Sequence, residues 1–310
     1  MSKYLVTGAA GFIGAALAKK LLNNGHEVVT IDNLSTGFME NIPEGCEYII
    51  GDTFDKDIIS KLDKYNFDAI FHIAGQSGGV TSFDDPIYDM NSNITSTLLL
   101  LDYAKRSGCK KFIYASSMSV YGDENECPVY ETSNIKPKTF YAVGKMASEN
   151  YMRIYTQFGI KSTALRFNNT YGPGQNLENL RQGMVSIFIA HAIKNKHIHV
   201  MGSKDRFRDF VFIDDTVNAC ILAEKGNEKE LFNEYTIATN KKTTVEQLVE
   251  NIRMHLPYDV TVEYNGSTPG DQFGIYCSYD KIKNNLGWEP KVDFESGMKI
   301  MMDWALRLNK

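Results

Sequence analysis

A glycine-rich turn near the start of the chain limits the folds open to it. Thr7-Gly8-Ala9-Ala10-Gly11-Phe12-Ile13-Gly14 lies between an apolar run, residues 4–6, and a stretch of helical periodicity, residues 12–24. A strand-to-helix turn of this kind needs glycine where the backbone bends sharply and where a phosphate comes close. The helix N-terminus then offers N–H groups and the positive end of its dipole to a pyrophosphate. Gly8, Gly11 and Gly14 stand at those positions, with Phe12 and Ile13 opening the helix. The spacing is G-x-x-G-x-x-G, one residue longer than the usual dinucleotide fingerprint. The flanking strand and helix argue against a glycine turn without a ligand.

Asp32 closes the next strand, residues 27–31, 18 positions after Gly14. A carboxylate there accepts hydrogen bonds from ribose hydroxyls and repels a 2′-phosphate, so the pattern predicts NAD rather than NADP. Asn33 follows it directly, with no Arg beside it. Gly51-Asp52-Thr53 follows a third strand, residues 48–50, where side chains can reach the adenine. The plainer reading of Asp52 is a turn-former.

The second informative stretch is Tyr141-Ala142-Val143-Gly144-Lys145. Four residues make about one helical turn, so the phenol and the ammonium share a face. A nearby cation is expected to lower the phenol's pKa. A Tyr tuned in this way can take a proton from a hydroxyl while a nicotinamide takes the hydride. Such a spacing alone is common on exposed helices; together with the glycine turn, in this order, it points to a dehydrogenase-type site.

The bulk properties fit a globular enzyme. The chain has 310 residues, 43% of them hydrophobic and 23% charged, with a net charge of −5. No basic cluster marks a nucleic-acid partner. The longest apolar cluster, residues 98–101, is far too short to span a membrane, and the first ten residues lack a signal-peptide layout. The five cysteines, Cys46, Cys109, Cys127, Cys220 and Cys277, are odd in number, scattered and free of C-x-x-C pairs. This pattern predicts a reducing, cytoplasmic setting with no disulfide framework and no zinc site. His197-Ile198-His199 could place two imidazoles on one strand face, but a metal needs a further ligand, so no metal is expected.

Along the chain, strands over residues 4–6, 27–31, 48–50, 69–74, 111–115 and 162–167 alternate with helices over 12–24, 56–65, 86–107 and 140–158. That alternation predicts an α/β fold, a doubly wound parallel sheet. Residues 116–139 read mostly as loop. The later part mixes helices (183–194, 214–225, 243–255, 294–307) with short strands (198–201, 210–212, 234–238, 260–263), which predicts a smaller mixed lobe. The expected division is residues 1–170 for the dinucleotide and 171–310 for the substrate. A chain that crosses between the lobes more than once fits the same pattern.

With these pieces in place, the chain resembles the extended short-chain dehydrogenase/reductases. More narrowly it is similar to the nucleotide-sugar epimerases and dehydratases, those like UDP-glucose 4-epimerase above all. The resemblance runs over nearly the whole length. Besides the glycine turn and Tyr141–Lys145, it rests on Asp32-Asn33-Leu34-Ser35-Thr36-Gly37, Gly51-Asp52, Phe71-His72-Ile73-Ala74, Asn93-Ile94-Thr95-Ser96-Thr97 and Ser116-Ser117-Met118-Ser119-Val120-Tyr121-Gly122. It continues through Arg166-Phe167-Asn168-Asn169-Thr170-Tyr171-Gly172-Pro173-Gly174, Arg208-Asp209-Phe210-Val211-Phe212-Ile213-Asp214-Asp215 and Leu286-Gly287-Trp288-Glu289-Pro290. The fold implied is a Rossmann domain for NAD with a C-terminal lobe for a nucleoside-diphosphate sugar.

The resemblance also implies roles. Ser117, Tyr141 and Lys145 would be catalytic, with Ser117 bridging the sugar oxygen and Tyr141 and Lys145 bonding the nicotinamide ribose. Ala74 and Asn93 would join the cofactor site. Met118, Asn169, Arg208 and Asp271 would bind substrate, Arg208 as the pyrophosphate clamp, for which a guanidinium fork is well shaped. Relatives pack helices 86–107 and 140–158 against a two-fold mate, so a homodimer is expected, with Tyr151, Ile154 and Tyr155 as candidate patch residues.

Two departures narrow the reading. Dehydratases carry Asp-Glu directly after the catalytic Thr, to remove water across carbons 5 and 6; here those positions hold Met118 and Ser119. Neither is an effective acid or base, which argues against a 4,6-dehydratase and against the decarboxylase branch, which keeps the Glu. Relatives also place Arg before the Gly270-Asp271 pair, where this chain has Ser267-Thr268-Pro269, and Asn168 replaces an apolar residue. Arg181 and Arg206 are the candidates to compensate. The expected activity is NAD-dependent oxidation at carbon 4 of a nucleoside-diphosphate sugar, by a 4-epimerase. A dehydrogenase releasing the 4-keto sugar, for instance from a GDP-heptose, uses the same tyrosine chemistry. A non-catalytic NAD-binding protein would be expected to lose one of the three catalytic groups.

Overall fold

A computed structural model describes residues 1–123, 126–226, 229–267 and 272–308. In chain order the first half comprises β1 (Lys3–Thr7), α1 (Phe12–Asn23), β2 (Glu27–Asp32), β3 (Glu47–Ile50), α2 (Lys56–Ser60), β4 (Ala69–His72), α3 (Pro86–Met90), α4 (Ser96–Ser107), β5 (Lys111–Ser117), α5 (Phe140–Tyr155) and β6 (Lys161–Phe167). There follow β7 (Asn169–Tyr171), α6 (Met184–Asn195), β8 (His197–Met201), β9 (Phe207–Arg208), β10 (Phe210–Phe212), α7 (Ile213–Lys225), β11 (Phe232–Ile237), β12 (Thr243–Thr244), α8 (Val245–Met254), β13 (Thr261–Asn265), α9 (Asp280–Leu286) and α10 (Phe294–Leu308).

Seven strands form one parallel sheet in the order β3-β2-β1-β4-β5-β6-β11. The inner strands are near-continuous runs of buried residues, as required when helices cover both faces. The order reverses between β1 and β4, and a crevice opens there at the carboxyl ends of the strands. This is the expected doubly wound fold. The strand read at 234–238 proves to be the edge of this sheet, paired with β6 from Phe232↔Ser162 to Ile237↔Phe167, so the chain returns to the N-terminal half.

The smaller lobe is built from the parallel pair β8–β13 and the short pairs β7–β10 and β9–β12, with α6, α8 and α10. It shares one core with the sheet: Leu17 of α1, Val217 of α7, Leu248 of α8 and Met301 of α10 belong to a single buried cluster. Trp288 anchors the C-terminal segment, fully buried, its Nε1 donating to Asp215 O at 3.0 Å. Asp215 in turn accepts from the N–H groups of Lys291 and Val292 at 3.0 Å each.

The helix expected at 86–107 is continuous but not uniform. A π-helical turn, Asn91–Thr95, separates α3 from α4. Such turns insert a residue into the helix and commonly mark functional sites. Gly108, with φ +78°, ends the helix as the sequence suggested.

Candidate active site

The crevice is a cleft of about 910 Å³ between the sheet edge and the smaller lobe. Its floor is the first turn. Gly8 has φ +80°, and a Cβ on it would meet Ala74 N at 2.9 Å. A Cβ on Gly14 would stand 2.1 Å from Gly8 O, so α1 can pack this tightly against the turn only without a side chain there. Gly11 is the N-cap of α1, no side chain caps the helix, and no acidic residue occupies its first turn. The positive helix end therefore faces the cleft, flanked by Phe12 and Ile13. Ala74 is held in place by its N–H bond to Thr7 Oγ1, 3.0 Å.

Asp32 is buried and lines the cleft, where it also has a structural task. Its carboxylate accepts from Ala10 N at 2.9 Å and from Leu34 N at 2.8 Å. It thus fixes the glycine turn while keeping lone pairs for a ribose hydroxyl. Asn33 Nδ2 donates to Asp52 Oδ1, and both residues, with Thr53, line the same end of the cleft.

Ser117, Tyr141 and Lys145 converge deeper in, brought together by the end of β5 and the first turns of α5. Ser117 Oγ accepts from Ser119 N (3.2 Å) and Ser119 Oγ (2.9 Å), which caps the short 3₁₀ turn Met118–Tyr121 and leaves its own proton to donate. Lys145 is buried; its Nζ donates to Ala115 O at 2.8 Å and lies 5.5 Å from the Tyr141 ring centroid. The expected lowering of the phenol's pKa is not what the protein alone produces. Burial pushes Tyr141 up to about 12, with the Ser117 hydroxyl pulling the other way. Burial likewise pushes Lys145 down to about 7, against the nearby carboxylates Asp89 and Glu149. Desolvation here outweighs the cation's attraction.

Asn93 sits in the π-helical turn. Its Nδ2 donates to Gln76 O at 3.0 Å and to Asp89, while its buried Oδ1 has no partner among the described residues. A Cβ on Gly75 would fall 2.6 Å from that Oδ1 and 3.5 Å from Lys145 Nζ. This open acceptor lies behind Gly75, which lines the cleft close to Lys145, and a buried amide oxygen so placed suits a hydroxyl donor such as a ribose, so these residues fit the dinucleotide. Asn169 lines the cleft, and its Nδ2 is also buried without a partner among the described residues.

Met118 and Arg208 line the cleft too. The Arg208 guanidinium is fixed by the carbonyls of Phe207 (2.7 Å), Phe273 (3.3 Å) and Gln272 (2.8 Å). Asp271 lies outside the described residues. Of the two candidate compensating arginines, Arg181 lines the cleft and pairs with Asp84, whereas Arg206 packs under Gly202 and donates to Ser203 O at 3.3 Å. Asn168 is buried, donating to Ile237 O at 3.1 Å and accepting from the Cys277 thiol. His197 and His199 face Thr261 and Asn265 on the neighbouring strand.

Three site groups were not singled out from the sequence. Gln76 and Asp89 flank Asn93, and a buried ion pair, Arg166–Glu149 at 2.7 Å, lies behind Ser117, joined by Ser116 Oγ. Glu149 follows Lys145 by one helical turn, which was the available signal.

Fold and site together define a dinucleotide-dependent oxidoreductase-type protein of the short-chain class, with a Ser–Tyr–Lys centre. A family model described as the NAD dependent epimerase/dehydratase family matches residues 4–238, and the chain belongs to that family, with NAD as its cofactor. The chain is 32% identical over 308 residues to a putative UDP-glucose 4-epimerase of Methanocaldococcus jannaschii, covering 99% of each chain. It is 31% identical over 315 residues to UDP-glucuronic acid decarboxylase 3 of Arabidopsis thaliana, covering 99% of this chain and 90% of the other. Among solved structures, the UDP-glucose 4-epimerase of Thermotoga maritima with UDP-glucose superposes with a TM-score of 0.95 at 32% identity, covering 99% and 100% of the chains.

Proposed function

We propose that the protein is a nucleoside-diphosphate-sugar 4-epimerase. The observation that carries this reading is one cleft lined by Ser117, Tyr141, Lys145 and Asn169, whose buried Nδ2 has no partner among the described residues, with the equally unpartnered Asn93 Oδ1 just behind Gly75 of its wall. NAD supplies hydride acceptance and return. Gly8, Gly11 and Gly14 hold its pyrophosphate, Asp32 its adenine ribose, and Asn93 and Lys145 its nicotinamide ribose. Asn169 and Arg208 hold the sugar nucleotide. Tyr141, as a phenolate stabilised by the Ser117 hydroxyl and Lys145, takes the proton of the 4-hydroxyl as carbon 4 is oxidised and becomes the neutral phenol. After the 4-keto sugar has turned its other face, Tyr141 returns the proton.

The 3₁₀ turn after β5 supports epimerisation over elimination or decarboxylation. Met118 and Ser119 line the cleft, and neither side chain is an effective acid or base for those reactions. The test is a panel of UDP-, GDP-, dTDP- and CDP-sugars with the products read by NMR and mass spectrometry. Inversion at carbon 4 without mass change is expected. Loss of water or carbon dioxide from any sugar would overturn the reading. Stoichiometric reduced nicotinamide with a released 4-keto sugar would replace it by the dehydrogenase. The protein is further read as a cytoplasmic homodimer; its five cysteines are all free thiols, and none of its described helices is long and apolar enough to cross a membrane.

A further inference from the structure

Lys145 is only 3% exposed, and the groups in direct contact with its Nζ carry no negative charge. Its Nζ donates to a neutral carbonyl, Ala115 O, and lies 4.7 Å from the Tyr114 ring centroid and 5.5 Å from that of Tyr141. A buried ammonium without a counter-ion gives up its proton. His72, from β4 beneath it, is held neutral by burial, and the Tyr114 and Tyr141 phenols are both raised by burial.

Two buried carboxylates remain, Glu149 on α5 and Asp89 on α3, and they are not equivalent. Glu149 gives both oxygens to Arg166, at 3.0 Å to Nε and 2.7 Å to NH2, and takes a further bond from Ser116 Oγ. Its charge is matched by the guanidinium. Asp89 is 1% exposed and is bonded by neutral amides, Gln76 Nε2 at 3.0 Å and Asn93 Nδ2 at 3.2 Å; it joins no ion pair among the described residues.

Gly144 explains how this carboxylate reaches the helix. Glycine weakens a helix interior relative to alanine. At 144, however, an added Cβ would stand 3.2 Å from Asn93 Cβ and 3.6 Å from Asp89 Oδ2. The bare backbone lets α3 and the π-helical turn lie directly on α5, in the turn that carries both Tyr141 and Lys145.

We infer that Asp89 is a positioning residue, the carboxylate that supplies the balancing charge for Lys145, brought against α5 by the missing side chain at Gly144. The mutual effect has the right direction on both groups. After burial, Asp89 is the largest influence on Lys145, favouring its charged form, and Lys145 is the largest influence opposing the rise of Asp89 to about 6. Glu149 acts on Lys145 in the same sense but behind Asp89. The inference rests on Tyr141 and Lys145 being the reacting pair.

Titration of lysine ¹³Cε signals in the protein saturated with NAD tests it, with the Lys145 signal identified by its loss in Lys145→Met. Asp89→Asn should move the Lys145 midpoint down by about one pH unit or more, and Glu149→Gln should move it less. Coupling is reciprocal, so Lys145→Met should raise the Asp89 midpoint, read from carboxyl-labelled aspartate. An unmoved Lys145 midpoint in folded Asp89→Asn, or a larger shift from Glu149→Gln, overturns the inference. Should Asp89→Asn fail to fold, an unmoved Asp89 midpoint in Lys145→Met overturns it. Turnover enters neither titration, so failure of the proposed epimerase reaction is a separate result.

Discussion

At the scale of single residues, the site is governed by desolvation. Tyr141 is driven toward its neutral form, up to about 12, and Lys145 toward its neutral form, down to about 7. A phenol in that state accepts a proton only if its anion is stabilised locally, and the Ser117 hydroxyl and the Lys145 ammonium are the groups placed to do it. Tyr141→Phe keeps the ring and removes the hydroxyl. It should lower kcat by roughly 10²- to 10⁴-fold, the usual yield of a positioned acid/base group. NAD should remain bound, because the glycine turn and Asp32 lie elsewhere in the cleft. Steady-state kinetics with the substrate found in the panel, together with the NAD content of the purified variant, measure both; near-normal turnover would remove Tyr141 from the chemistry. These residues were legible in the sequence because their spacing is local: a turn and one helical step specify them. Asp89, Gln76 and the Arg166–Glu149 pair were not, because their roles arise only when α3, β6 and α5 meet.

At the scale of elements, β4 links core and cleft. His72 is fully buried beneath the loop that carries Ala74, its Nδ1 paired with Thr7 Oγ1 at 2.9 Å and its Nε2 with Ser96 Oγ at 3.2 Å. Burial, reinforced by the Lys145 charge, pushes this imidazole down to about 3. Its unfolded-state value is about 6.5, so the unfolded chain binds the extra proton first as pH falls. The stability tied to neutral His72 is fully present above about pH 6.5 and is lost progressively toward pH 3. By pH 5 the loss should reach roughly 2 kcal/mol, at 1.36 kcal/mol per pH unit below the unfolded value. Denaturant unfolding of wild type and His72→Gln at pH 7 and pH 5 isolates this contribution, and the variant should lose less stability between the two. Equal losses would show that His72 already carries a proton in the fold. The helices of this half were legible from periodicity and caps, as at Gly108. The π-helical turn at Asn91–Thr95 was not, because one inserted residue barely alters an apolar repeat. The sheet partner of β11 was hidden for a different reason: a strand's own residues do not name its neighbour.

At the scale of the whole molecule, an apolar stripe is left on the outer side of the long helices. Ile87 and Met90 of α3 are 64% and 42% exposed, and Phe140, Val143 and Ile154 of α5 are 48%, 43% and 52% exposed. Phe83 continues the stripe, its ring 5.5 Å from that of Phe140. Of the residues expected to form such a patch, Ile154 does. Tyr151 and Tyr155 instead pack inward on the core beneath the sheet, because a helix of this kind must turn one face to its sheet. Ile87 and Met90 lie three residues apart, as do Phe140 and Val143, and Ile154 follows Val143 by about three helical turns, so each set shares one helix face that can pack across a two-fold axis. A stable interface needs about 800 Å² from each partner, which two helices of this length can supply. Light scattering at micromolar concentration should therefore give twice the 35.0 kDa chain mass. Ile87→Asp combined with Val143→Asp should return it to a single chain, since each charge would have to be buried unpaired in the interface. Neither side chain lines the cleft, so the NAD content of the protein should not change. A wild-type mass near that of one chain would leave the stripe as exposed surface and end the dimer reading.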